Sequence, residues 1–183
     1  MKISNFIIIF LLTIHVVCGQ SANIDSLKNI ISQQRGDTTE VNALVNLADL
    51  YSYVNIDLKF KYAQKGLLLA EKLNYSKGEA SCFLALGGAN GSIGNFSQSL
   101  LFLFKAFVIY EQLRDEDGIN ATHLFLQGTY REAGDYNNAL VHAFKAKQLA
   151  ELNDRKGTIV FTGARMIPLI LAEIRPGRPS ARS

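Results

Sequence analysis

Apolar residues recur along this chain at intervals of three and four rather than two, which puts them on one face of a helix and not on one side of a strand. Val41, Leu44, Val45, Leu47, Ala48 and Tyr51 form one such stripe, and Phe60, Ala63, Leu67, Ala70 and Leu73 form the next. A shorter stripe precedes them at Ile24, Leu27, Ile30 and Ile31. The pattern predicts a lead amphipathic helix within 20–36 followed by paired helices. Asp37 with Glu40, and Asn95 with Gln98, resemble capping boxes, in which a side-chain oxygen meets an unpaired amide of the first turn. Gly94 and Gly134 stand where a helix must stop and turn through a left-handed residue. Pro168, Pro176 and Pro179, the three prolines, all follow this region, so the helical body contains none.

The pattern repeats. Gly78, Gly118 and Gly157 are 40 and 39 residues apart, and Gly94-Asn95-Phe96 recurs as Gly134-Asp135-Tyr136. Lys65, Lys105 and Lys145 share the spacing, as do Glu71, Glu111 and Glu151, and Gly66, Ala106 and Ala146. Such a period predicts units that bury their apolar faces only by stacking. The boundaries fall at 37–77, 78–117 and 118–157. Residues 158–183 remain as a partial fourth unit or an aberrant tail.

Within these units, Leu126, Tyr130, Gly134, Tyr136, Ala139, Ala143 and Ala146 resemble the tetratricopeptide repeat signature. Leu86, Gly87, Gly94, Phe96, Leu103 and Ala106 match it in the second unit, with Asn90 where an aromatic is usual. Leu47, Ala48, Tyr51, Ala63 and Gly66 match it in the first, whose turn reads Val54-Asn55-Ile56-Asp57. The resemblance implies an all-α, right-handed superhelical solenoid of stacked antiparallel helix pairs. The period near 40 looks like the lengthened subtype. With the exported start described next, the chain is similar to the extracytoplasmic repeat regions of Bacteroidetes sensor histidine kinases and related regulators.

Lys2 precedes an apolar run from Phe6 to Val17, which ends at Cys18, Gly19 and Gln20. Twelve helical residues reach about 18 Å against a hydrocarbon core of about 30 Å, so the run suits a secretory signal peptide better than a membrane span. Cleavage is expected after Gly19, giving an exported, periplasmic chain. Cleavage removes Cys18 and leaves Cys82 alone among apolar neighbours, read as a buried thiol rather than a reactive one. The net charge is +3, yet Arg165, Arg175, Arg178 and Arg182 supply the basic excess near the end of the chain. The body is nearly neutral and lacks the clustered basic footprint of a nucleic-acid binder.

No HExxH, paired CxxC, Walker loop or nucleophile elbow occurs, so no catalysis, metal or small-molecule cofactor is expected. Gly87, Gly88, Gly91 and Gly94 lack the lysine and Ser/Thr of a phosphate loop and read as helix packing. His123 and His142 lie on different helices, and His142, in register with Tyr62 and Phe102, reads as a partly buried ring. Asp115-Glu116-Asp117 reads as a solvated loop.

In repeats of this kind the first helix of each unit lines a concave groove. The resemblance therefore places Asn42, Asn46, Asp49, Tyr53, Ser81, Ser92, Phe125, Arg131 and Glu132 on that surface. They suit an extended peptide or a partner helix. The family's carboxylate clamp wants lysines beside asparagines, and the first two groove helices supply none.

Beyond Gly157 the repeat breaks. Pro168 interrupts the fourth first-helix, and Met166, Ile167, Leu169, Ile170 and Leu171 are no solubilising cap. A truncated or frameshifted gene, or a tail folded over the last stack, both fit. Two roles follow: an exported protein-binding adaptor, or the truncated sensory region of a membrane-bound kinase or regulator, tethered to the membrane only as part of a longer protein.

Overall fold

The computed structural model describes residues 23–152, with the side chain of Leu152 excepted. The expected signal peptide at 1–19 and the expected tail at 158–183 lie outside the described residues. The described chain is all-helical: α1 (23–32), α2 (Thr38–Leu50), α3 (Ile56–Lys72), α4 (Ser76–Ser92), α5 (Phe96–Leu113), α6 (Glu116–Glu132) and α7 (Tyr136–Leu152), with no strand among the described residues. No helix among them is long and apolar enough to cross a membrane. Contacts divide the chain within α4 into two compact units, one up to Ala85 and one from Leu86 onward.

In the first unit, Leu27 of α1 packs with Ala43 and Leu47 of α2, flanked by Ile24, Ile30, Ile31, Tyr51 and Tyr62. A second cluster joins Val41, Ala70 and Cys82. A Cβ added at Gly66 on α3 would lie 2.9 Å from the Cys82 sulfur on α4, so these helices approach closely because neither carries bulk at the crossing. Cys82 is fully buried, and burial together with the negative charges of Asp49, Glu79 and Glu71 pushes its thiol up to about 12.

In the second unit, the part of α4 from Leu86 onward packs on α5, where Gly87 faces Leu103. A Cβ added at Gly91 would lie 3.3 Å from the hydroxyl oxygens of Ser99 on α5 and Thr129 on α6. The hydroxyls of Ser99 and Thr129 share a buried hydrogen bond of 3.0 Å between α5 and α6. These glycines serve helix packing, as their neighbours in sequence suggest.

Burial follows the 40-residue period. On the second helix of each pair the recurring buried positions are Lys59, Ala63, Gly66 and Ala70; then Ser99, Leu103, Ala106 and Tyr110; then Ala139, Ala143, Ala146 and Ala150, with His142 buried on α7 in addition. The 4-3-4 spacing is one helical stripe, and its small residues set how near a neighbour comes. On the first helices, Leu47, Leu86 and Leu126 occupy the corresponding buried positions.

The turns repeat as well. Asn74, Gly94, Arg114 and Gly134, spaced 20 apart, all adopt positive φ, between 53° and 80°. Each ends its helix in a Schellman motif, where the next amide donates five residues back: Tyr75 to Ala70 (2.9 Å), Asn95 to Asn90 (2.9 Å), Asp115 to Tyr110 (2.9 Å) and Asp135 to Tyr130 (2.8 Å). Glycine holds this left-handed conformation without a Cβ penalty. Gly134→Ala is therefore expected to lower unfolding free energy by about 1 kcal/mol, measurable by urea titration.

The first pair departs from this rule. Its turn is one residue shorter: Tyr51 lies 39 before Asn90, whereas Asn55 lies 40 before Asn95. The left-handed residue is the one missing, and the Asn55 amide donates to the Tyr51 carbonyl at 3.0 Å, four residues back. β-Branched Val54 is thereby spared a conformation that would strain it.

The Asp37–Glu40 capping pair forms, with the Glu40 amide donating to Asp37 Oδ1 at 3.0 Å; the Glu40 carboxylate accepts from Gly36 rather than from Asp37. The Asn95–Gln98 expectation fails. Asn95 makes no side-chain cap and instead donates through Nδ2 to Asn90 Oδ1 at 3.3 Å. Asp115 and Asp135 do cap, accepting from the amides of Gly118 and Asn138.

Candidate interaction surface

Buried positions on one side of α2 and of α6 leave the opposite side outward, so each unit offers its own such face. On α2, Asn42, Asn46 and Asp49 stand at i, i+4 and i+7, all exposed, on a helix whose other side carries Val41, Leu44 and Leu47 at no measurable exposure. Tyr53 follows in the turn, fully exposed. The face is framed by α4: the Tyr75 hydroxyl, just before that helix, donates to Asn42 Oδ1 at 3.3 Å. Ser81 is half-buried and donates to the Lys77 carbonyl at 3.0 Å, which ties its hydroxyl back to its own helix.

Behind this face sits a residue that sequence pattern did not single out. Lys59 of α3 is only 3% exposed and donates from Nζ to Ser52 Oγ at 2.9 Å. Burial lowers its ammonium from the ordinary value, and the charge of Asp49 partly offsets that. Asp49 is pushed up by the chain around its carboxyl against the lowering pull of Lys59. The Asp49 residue is nonetheless open to solvent, so water screens this pair and it is no deep ion pair. Lys59 thus lies on the second helix of the pair and is turned inward to a serine. Its register mates are Ser99 and Ala139, both fully buried. A lysine at a position otherwise held by small interior residues was the signal available.

In the second unit, Ser92 ends α4 with its hydroxyl donating to the Gly88 carbonyl at 3.0 Å. Phe125 projects from α6 with 37% of its surface exposed. A Cβ at Gly128, less than one turn on, would meet nothing within 4 Å, which leaves backbone accessible beside the ring. Arg131 and Glu132 at the end of α6 are exposed and paired with each other, Nε to Oε1 at 3.2 Å with a second bond from Nη2. That guanidinium is already engaged by a neighbouring carboxylate, which weakens the case for a clamp on a peptide terminus.

The repeat-defining residues do structural work. Leu47, Leu86, Leu126, Ala106, Ala139 and Ala146 are buried. Tyr51 stacks on Tyr62 at 5.7 Å between ring centroids, and Tyr130 stacks on His142 at 5.5 Å. Phe96 is half-buried and Tyr136 is 39% exposed at their helix starts. No grouping of three or more metal-ligating side chains occurs among the described residues. No protein-family model matches the chain, and a search of curated proteins finds no match.

Proposed function

We propose that this chain is an exported, periplasmic tetratricopeptide-like module whose hairpins stack as a right-handed solenoid and bind a protein or peptide. It works by presenting side chains, without catalysis and without a cofactor. The observation that supports the reading best is the recurrence of one burial stripe and one turn type every 40 residues, which leaves equivalent faces of α2 and α6 outward on rigid helices. Asn42, Asn46 and Asp49 offer donors and acceptors in a row, and Phe125 offers an aromatic anchor; both suit capture of a polypeptide.

Selection from a displayed library of random dodecapeptides tests this. Enriched peptides should bind the purified chain, and affinity should fall about tenfold or more in Asn46→Ala/Asp49→Ala or in Phe125→Ala while helicity is unchanged. Peptides that bind all variants equally, or no enrichment at all, would refute the assignment of these faces.

A further inference from the structure

The hairpin of α6 and α7 closes on a pair of histidines. His123 and His142 are 4% and 9% exposed, with their Nδ1 atoms 3.1 Å apart and their ring centroids 5.1 Å apart. A hydrogen bond at this distance needs one ring to present Nδ1–H and the other a bare Nδ1. Phe107 of α5 covers the His123 ring at 5.2 Å, and Tyr130 of α6 stacks on His142. The equivalent positions one repeat earlier are Phe83 and Phe102. Register positions that hold apolar rings one repeat earlier therefore hold titratable rings here.

We propose that this pair is an acid-sensitive latch, which holds α6 against α7 when at least one ring is neutral and releases the hairpin when both are protonated. The first added proton goes to the bare Nε2 of the ring that already presents Nδ1–H, so the Nδ1–H···Nδ1 bond survives with a charged donor. The second removes the only acceptor and sets two cationic N–H donors against each other in a site largely closed to water. The groups acting on the pair sharpen the response. Lys145 on α7 places a further positive charge near both rings, Tyr130 on α6 is the other titratable group in contact, and α5 contributes the uncharged ring of Phe107. Burial first, then the charges of His142 and Lys145, hold His123 down to about 4, and burial with Lys145 lowers His142. Because the folded values are depressed, the contribution to stability is full above about pH 6.5 and is lost as pH falls toward 4. This inference concerns the hairpin itself and holds whether or not a peptide binds.

The experiment compares wild type with His142→Phe and with His123→Phe/His142→Phe, which installs the rings of the preceding repeat. Imidazole proton shifts are followed by NMR from pH 8 to 4, and amide exchange and urea unfolding are measured at pH 7.5 and 4.5. The wild-type rings should titrate below the ordinary histidine range in two coupled steps. On acidification the wild-type unfolding constant should rise roughly tenfold to a hundredfold more than that of the double variant. Protection factors corrected for intrinsic exchange should fall in α6 and α7 before α5. Independent titration near 6.5, or equal protection loss across α5 to α7, would overturn the latch. If the double variant fails to fold, the wild-type titration and exchange still decide the question.

Discussion

Replacing Leu126 with alanine should lower unfolding free energy by about 2–5 kcal/mol, a large share of the stability of a domain this size. The side chain is fully buried on α6, in the same position as Leu47 on α2 and Leu86 on α4. Alanines hold Ala139, Ala143 and Ala146 on α7, so the leucine supplies bulk that its partner helix lacks. Small residues cannot rotate to refill a void, and the loss therefore includes an unrelaxed cavity as well as the transfer term. Urea unfolding followed by circular dichroism at 222 nm measures the shift in midpoint. A loss below about 1 kcal/mol would mean that α7 slides in to close the gap, and that this seam is softer than close packing implies.

Gly118→Ala is expected to cost about 1–3 kcal/mol for the opposite reason. A Cβ there would lie 2.1 Å from Tyr110 Cδ1 and 2.4 Å from Cγ and Cε1, on the flank of a ring that is itself 4% exposed. The ring cannot swing away without leaving its own site, and in the first turn of α6 the greater helix propensity of alanine returns at most about 1 kcal/mol. Tyr110→Leu shortens the obstacle. In a double-mutant cycle the two changes should couple, with the alanine costing at least 1 kcal/mol less in the leucine background. Additive losses would show that Gly118 is selected by backbone rather than by the tyrosine ring.

These helices were legible because burial in a paired-helix chain writes itself as a 3–4 stripe, and the stripes at Val41–Tyr51 and Phe60–Leu73 coincide with α2 and α3. What escaped reading depended on a partner. Asn95 looked like a cap by its type, but Asn90, standing in place of the usual aromatic, accepts its amide. The shortened first turn was present as a 39 against a 40, yet its meaning, a left-handed residue left out, needed the hydrogen bonds. Lys59 was hidden because a lysine is read as surface, although Ser99 and Ala139 mark its position as interior. The histidines are 19 apart in sequence, and only the way α6 lies on α7 brings their nitrogens together. Asn42, Asn46 and Asp49 do share one outward face of α2, while Ser81 and Ser92 spend their hydroxyls on carbonyls of their own helix.

The concealed sulfur of Cys82 gives the molecule an internal clock. A protonated thiol walled in by α2 and α3 reacts with a disulfide reagent only during excursions that expose it, so the rate of labelling counts those excursions. Because the atom touches the crossing at Gly66, each event it records is a parting of neighbouring helices and not the fraying of an end.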